Sequence, residues 1–122
     1  MPMHADDLFS LLYTLITGHA ALSSVITGVF EEPPAEQKGP YVVLGDFQQT
    51  GGRLLNDSER TGVLTLHIWS SYKGRKEVLQ VAGLVDEALE ENGFLFEDLE
   101  VFQDDESGWK HGVSTYKVYY RR

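Results

Sequence analysis

Residues 63–90 read VLTLHIWSSYKGRKEVLQVAGLVDEALE, and the two halves of this stretch carry the patterns that decide the fold. In the first half, Leu64, Leu66 and Ile68 alternate with more polar residues, which predicts a strand over 60–70 with these three side chains turned to the core. In the second half, apolar residues recur at i, i+3, i+4, i+7 and i+11: Val78, Val81, Ala82, Val85 and Leu89. That spacing predicts an amphipathic helix over 75–91, whose single apolar stripe must be buried. The two halves together predict a helix packed on a sheet.

A further amphipathic helix is predicted near the start of the chain. Its apolar residues also follow the helical spacing: Leu8, Leu11, Leu12, Leu15 and Ile16. We expect Asp6 or Asp7 to cap its first turn, and Gly18 to end it in the left-handed conformation. A short helix over 20–26 should follow.

The remaining segments predict three more extended regions and their connections. Pro33 and Pro34 exclude regular structure, and Pro40 begins a strand over 41–47. Residues 48–59 are rich in turn formers and predict a long loop, which is either a flap on the core or a segment that orders against a partner. One strand or two short ones are expected over 94–103, a turn over 104–108, and a closing strand over 111–120. This order predicts an α+β fold: a single mostly antiparallel sheet with two main helices packed on one face, as one domain over 1–122.

Composition excludes several classes of function. The 122 residues include 19 acidic and 10 basic side chains, a net charge of −9 that disfavours binding to nucleic acid. The absence of cysteine excludes disulfides, thiolate catalysis and cysteine-ligated zinc. Residues 8–30 carry no acidic or basic side chain, but nine of these 23 residues are Ser, Thr, Gly or His, too many for a membrane span. We therefore expect a soluble, intracellular protein that does not enter a membrane.

The sequence contains no recognisable catalytic or metal-binding motif. Glycine-rich phosphate loops, the G-x-S-x-G nucleophile turn and the H-E-x-x-H zinc motif are all absent from it. The run Asp104, Asp105 and Glu106 fails the EF-hand pattern, because Trp109 and Thr115 occupy the positions of the required Gly and Glu. We predict no catalytic residue, no cofactor and no metal. A small enzyme whose site follows no motif stays the alternative.

Charge is distributed unevenly along the chain. Residues 86–106 contain ten acidic side chains and no Lys or Arg, whereas Arg75 and Lys76 stand at the start of the predicted helix. This order opposes the helix dipole, which favours acids at the N-terminus and bases at the C-terminus. Either these are solvated surface charges, or they serve a partner or a lumen.

The ordered landmarks of the chain resemble those of a known family. They are VFE at 29–31, PYVVLG at 40–45, LTLHIWS at 64–70, GRKE at 74–77, the helix with Val81-Ala82 and Ala88-Leu89, and HGV at 111–113. This set resembles the tail-completion, or tail-terminator, family of long-tailed bacteriophages, which is also found in prophages and gene transfer particles. The resemblance covers about residues 8–120. Its most specific block is the strand that ends at Trp69-Ser70 with the helix start that follows.

The resemblance implies a structural virion protein rather than an enzyme. Members of this family cap the head-proximal end of the tail tube as a ring of six subunits, end tube polymerisation and join the tail to the head. The implied partners are copies of the same chain, the major tail tube protein and a head-completion or connector protein, while DNA passes through without specific binding. The implied location is the head-proximal end of the virion tail, after assembly in the host cytoplasm. The alternative within this class is another neck or connector protein of the same particle.

Two sets of residues are candidates for assembly contacts. A ring closed by head-to-tail contacts needs two different complementary patches on each subunit, and we assign Arg53, Leu54, Leu55, Arg75 and Lys76 to a subunit or tube interface. We assign Asp104, Asp105 and Glu106 to a channel-facing surface, because an acidic lining repels DNA and leaves it free to slide. The alternative for these three acids is an outer surface that is kept soluble by its charge.

Overall fold

The computed structural model describes residues 3–53 and 58–121, which form three helices and five strands within these ranges. In chain order they are α1 (Ala5–Gly18), α2 (Ala20–Ser23), β1 (Val29–Phe30), β2 (Tyr41–Gly51), β3 (Glu59–Ser70), α3 (Lys76–Glu90), β4 (Leu95–Gln103) and β5 (Lys110–Arg121). The strands form one sheet in the order β1-β2-β3-β5-β4, in which β1 pairs parallel to β2 and every other pair is antiparallel. The predicted α+β class is confirmed.

The core lies between one face of the sheet and the helices. Leu64, Leu66 and Ile68 of β3 are almost fully buried, as their alternation predicted. The apolar stripes of α1 and α3 belong to the same buried cluster, through Leu12, Ile16, Val81, Val85 and Leu89 among others. Apolar burial on this scale is the main stabilising contribution to a small α+β fold. The opposite face of the sheet is left open by the described helices.

The first turn of α1 is capped as predicted, whereas its end and the short helix after it differ from the prediction. Asp7 accepts a hydrogen bond from the backbone N–H of His4 at 2.9 Å, which closes the first turn of α1. Gly18 does not end α1 in the left-handed conformation, because His19 follows it in an extended conformation and starts α2 at once. The imidazole Nδ1 of His19 accepts the Leu22 N–H at 3.2 Å. The predicted helix over 20–26 is therefore shorter and ends at Ser23.

The predicted long loop over 48–59 is wrong at both of its ends. β2 continues to Gly51 and β3 begins at Glu59, so residues 48–51 pair with residues 60–63 as a hairpin. The turn formers in this segment suggested a loop, but ladder hydrogen bonds to β3 extend the strand beyond what its side chains favour. An irregularity between Leu44 and Phe47 keeps Phe47 on the core side, where its ring meets Phe9 edge-on at 5.2 Å.

The two ends of the sheet have different connections. At one end lie the β2–β3 connection and the start of β4; we call this the hairpin end. At the other lie the connections over 31–40, 71–75 and 104–109, and we call this the loop end. β3 has 12 residues, so the two ends are separated by about 35 Å at ~3.3 Å per residue.

Candidate assembly surfaces

The described part of the chain offers no metal centre and no membrane span. Over residues 3–53 and 58–121, no group of three or more His, Asp or Glu side chains is arranged to hold a metal ion. No helix within these ranges is long and apolar enough to cross a membrane.

Arg53 is held tightly at the hairpin end. Its guanidinium donates to Glu59 from Nε to Oε1 at 2.9 Å and from NH2 to Oε2 at 2.6 Å, and its backbone N–H also donates to Oε1 at 3.0 Å. The guanidinium carbon lies 4.0 Å from the centre of the Tyr119 ring. A bidentate ion pair over an aromatic ring orders an arginine strongly. Arg53 thus closes the base of the hairpin while 60% of its side chain stays exposed.

Glu59 is the acidic partner in this arrangement. Its hydrogen bonds from the side chain and backbone of Arg53 lower the pKa of the Glu59 carboxyl to about 2. The carboxylate therefore stays charged, and the hairpin base stays closed, over the whole physiological range. Leu54 and Leu55, which the sequence also assigns to this interface, lie outside the described residues.

Arg75 and Lys76 lie at the loop end, on the side of the helices. Arg75 precedes the first turn of α3, Lys76 is its first residue, and both side chains are exposed. Inside this turn, the hydroxyl of Ser70 donates to Glu77 Oε1 at 2.6 Å and ties the end of β3 to α3. The structure does not bring Arg75 and Lys76 together with Arg53: the predicted interface residues are divided between the two ends of the sheet.

Asp104, Asp105 and Glu106 form a tight turn at the loop end. Asp104 accepts the Ser107 N–H at 2.9 Å and the Ser107 hydroxyl at 2.8 Å, and these bonds lower the pKa of its carboxyl. Gly108 completes the turn with a φ of 76°, a conformation that favours glycine. Asp104 is thus a structural residue of the turn, whereas Asp105 and Glu106 are exposed at its tip.

The acidic segment over 86–106 does not form one patch. It runs from the end of α3, along the edge strand β4 and into the turn at the loop end, so its charges spread along the length of the sheet. Some of them have partners: Asp104 accepts from Ser107, Asp86 accepts the Tyr116 hydroxyl at 3.1 Å, and Glu97 lies 3.4 Å from the Lys117 ammonium. At the loop end the acidic turn and the basic Arg75 and Lys76 occupy the same end of the molecule.

The open sheet face carries a histidine pair that the sequence does not reveal. Nδ1 of His67 on β3 lies 2.7 Å from Nε2 of His111 on β5. The His111 ring stacks on Trp69 at 3.8 Å, and Phe102 meets it edge-on at 4.8 Å. Gly45 is needed beneath them, because a Cβ there would lie 2.6 Å from the His67 ring.

Burial is the main reason that the pKa values of His67 and His111 both lie below the ordinary value. The contact between the two rings also requires that at least one of them is uncharged. An N–H···N bond needs one ring nitrogen to accept, and a protonated imidazole has no acceptor. Nearby Asp46 and Asp104 act in the opposite direction, but they do not outweigh burial. The pair is therefore uncharged at neutral pH. The alternation in the sequence places both histidines at outward positions of their strands. It does not show that these two strands are neighbours in the sheet.

Residues 10–121 match the protein family described as tail completion protein gp17. Two solved structures share the fold. One is a chain in the virion of a native gene transfer agent (GTA) particle, with a TM-score of 0.78 at 16% identity, over 91% of this chain and 92% of that chain. The other is bacteriophage SPP1 gp17, with a TM-score of 0.50 at 21% identity, over 89% and 90% of the two chains. No curated protein matches the sequence.

Proposed function

This chain belongs to the tail completion protein gp17 family, and we propose that it closes the head-proximal end of a tail tube as a ring. The family consists of structural proteins of the virion tail, not enzymes, so the chain is a tail component of a phage or gene transfer particle. In the proposed role the ring ends polymerisation of the tube and offers the surface that joins the tail to the head. The family match over residues 10–121 is the observation that carries this proposal.

The two ends of the sheet suit a protein that joins two different neighbours. The hairpin end presents Arg53, while the loop end presents exposed charges of both signs, including Arg75, Lys76, Asp105 and Glu106. We assign one end to the tube protein and the other to the head-completion or connector protein. Because the ends are about 35 Å apart, contacts at one leave the other free.

The turn tip at the loop end is assigned to the rim of the DNA channel. Asp105 and Glu106 are exposed there, while Asp104 holds the turn. Duplex DNA carries one negative charge per about 1.7 Å of its axis, and basic side chains would hold it by releasing counterions. An acidic rim repels the duplex and lets it pass.

Isolated tail tubes provide the test of the proposed role. Tubes grown from the major tail protein of the same particle should stop lengthening when this chain is added, and electron microscopy should show a ring of density at one end only. The mass of the bound material should correspond to six chains per tube end. If the chain bound the portal side of purified heads and ignored tubes, a connector role would replace the proposed one.

A further inference from the structure

The middle of the open sheet face is poor in charge, although the chain has a net charge of −9. The outward positions there hold only neutral side chains, on β3 and β5: Thr61, Val63, Thr65, His67, Trp69, His111, Val113 and Thr115. We call these eight residues the open face. All are half-buried although the described helices lie on the other side of the sheet. Within the described residues, charged side chains flank these eight: Asp46 near His67, Lys117 opposite Val63, Glu97, Asp98 and Glu100 on β4, and Arg53 and Glu59 at the hairpin end.

At the loop end, the open face continues into a row of aromatic residues. Register places Tyr41, Trp69, His111 and Phe102 in one row across four strands. Phe102 is 43% exposed and Trp109 packs against Tyr41 at a ring separation of 5.9 Å. Protein interfaces are depleted in charge at their centre and enriched in aromatic side chains, so this row has the composition of an interface.

A second surface that is poor in charge lies on the opposite layer of the molecule. The exposed side chains of α1 beyond its first turn are all neutral: Ser10, Tyr13, Thr14 and Thr17. Beside them a groove of about 700 Å³ runs between α1 and the edge strand β1, with Phe9, Val29, Phe30 and Leu44 among its lining residues. Asp6 and Glu31 lie at this groove and are its only charged lining residues. We call the four exposed residues and the groove the α1 surface.

We propose that the open face of one copy packs on the α1 surface of the next copy, and that this is the repeated contact of the ring. The inference rests on the proposed ring, which needs a heterologous contact between two different patches. The open face and the α1 surface meet that need because they lie on opposite layers. Each copy can bind one neighbour through its sheet and the other neighbour through α1, so the same contact repeats around the ring. Contact between two open faces would instead close a pair and stop.

The size of the open face fits this assignment. Four strands at ~4.8 Å spacing and about ten residues at ~3.3 Å give about 600 Å² for this whole side of the sheet, of which the open face on β3 and β5 is about half. A specific protein–protein contact buries about 800 Å² on each partner and has a polar rim, so the open face would form its centre, with the aromatic row and the charged side chains around it as the rim. Burial of neutral surface also avoids the repulsion that two chains of charge −9 would otherwise experience at close range.

Three charge-introducing variants test the contact. Val113→Glu places a carboxylate in the open face, and Tyr13→Glu places one on the α1 surface. Leu79→Glu is the matched control, because Leu79 is an exposed apolar residue of α3, at 47% exposure, outside both surfaces. Thermal melts should first show that all three variants fold. Native mass spectrometry, with and without tail tubes, then measures assembly.

We expect Val113→Glu and Tyr13→Glu each to weaken self-assembly by at least tenfold, and Leu79→Glu to assemble like the natural chain. A mixture of the two defective variants should form a species of two chains and no more, because one intact surface of each remains to meet the other. Self-association of Tyr13→Glu alone into pairs would overturn the heterologous contact.

The outcome also separates this inference from the proposed function. If all three variants form rings on tubes, the ring stands and the contact lies elsewhere. If the natural chain forms no assembly in solution or on tubes, the ring and this contact are both wrong.

Discussion

Nδ1 of His67 lies 2.7 Å from Nε2 of His111, across β3 and β5 on the open face of the sheet. The two residues are 44 positions apart in the chain and meet because the register pairs Trp69 with His111 and His67 with Val113. The stacked Trp69 ring and the edge of Phe102 surround the pair. This titratable pair therefore lies within the open face, which we propose as a subunit contact.

Acidification should destabilise the protein through this pair. Burial holds the pKa values of His67 and His111 below the ordinary value near 6.5, so the unfolded chain binds more protons than the folded chain as pH falls below ~6.5. Stability is therefore present above pH ~6.5 and decreases below it. Denaturant melts at pH 7.5 and 5.5 should show this decrease, and the double variant His67→Gln/His111→Gln should show less of it. His4→Gln, at an exposed histidine, should behave like the natural chain.

The ion pair at the hairpin base should affect stability in a lower pH range. The hydrogen bonds from Arg53 lower the pKa of Glu59 to about 2, from about 4.5 in the unfolded chain. Their contribution is fully present above pH ~4.5 and is lost as pH falls towards 2. Glu59→Gln should melt at a lower temperature than the natural chain at pH 7, and the difference should vanish near pH 2. An unchanged difference across this range would contradict the ion pair, and Glu87→Gln provides an exposed control.

Val85→Asp should unfold the protein. Val85 is fully buried between α3 and the sheet, and an unpaired charge there costs about 3–5 kcal/mol, a large part of the stability of a small domain. Circular dichroism melts should show a collapse of the melting temperature. Gln80→Asp, at an exposed position of the same helix, should melt close to the natural chain. A stable Val85→Asp variant would refute the helix–sheet core.

The double variant Leu54→Ser/Leu55→Ser tests the sequence-based prediction that these two leucines of the 48–59 segment contact a partner. If these leucines contact the tube or a neighbouring subunit, the melting temperature should stay nearly unchanged while capping of isolated tubes is abolished. Tube length distributions from electron microscopy provide the measurement. An unfolded variant would show instead that the pair belongs to the core and that the segment is only a flap.

Reversal of charge at the turn tip tests the channel assignment. The variant Asp105→Lys/Glu106→Lys retains Asp104, whose bonds to Ser107 hold the turn. It should assemble normally, bind DNA at low salt and slow genome ejection, because the new cations displace counterions from the duplex. Glu90→Lys/Glu91→Lys, at the far end of α3, is the control that should not bind DNA. Normal ejection without DNA binding would place the turn on the outside.

Local periodicity in the sequence predicted the main elements well. The stripes of α1 and α3 and the alternation in β3 arise from residues close in the chain, so the helices and the core face of β3 follow without knowledge of the fold. The ordered landmarks also pointed to the family that the comparison shows. Gly18, the short helix after it and residues 48–51 were predicted less well: His19 starts α2 directly after Gly18, and pairing with β3 overrides the local preference at 48–51.

Only the tertiary structure decided which distant residues meet. The register of β3 with β5 brings His67 into contact with His111. The pairing of β2 with β3 extends the hairpin and brings Arg53 within hydrogen-bond distance of Glu59. The strand order also separates Arg53 from Arg75 and Lys76, and it leaves one neutral face on each layer. The sequence by itself determined the elements and the core, because helix and strand periodicities are local. The assembly surfaces depend on strand order and register, which are set by long-range pairing that no local pattern encodes.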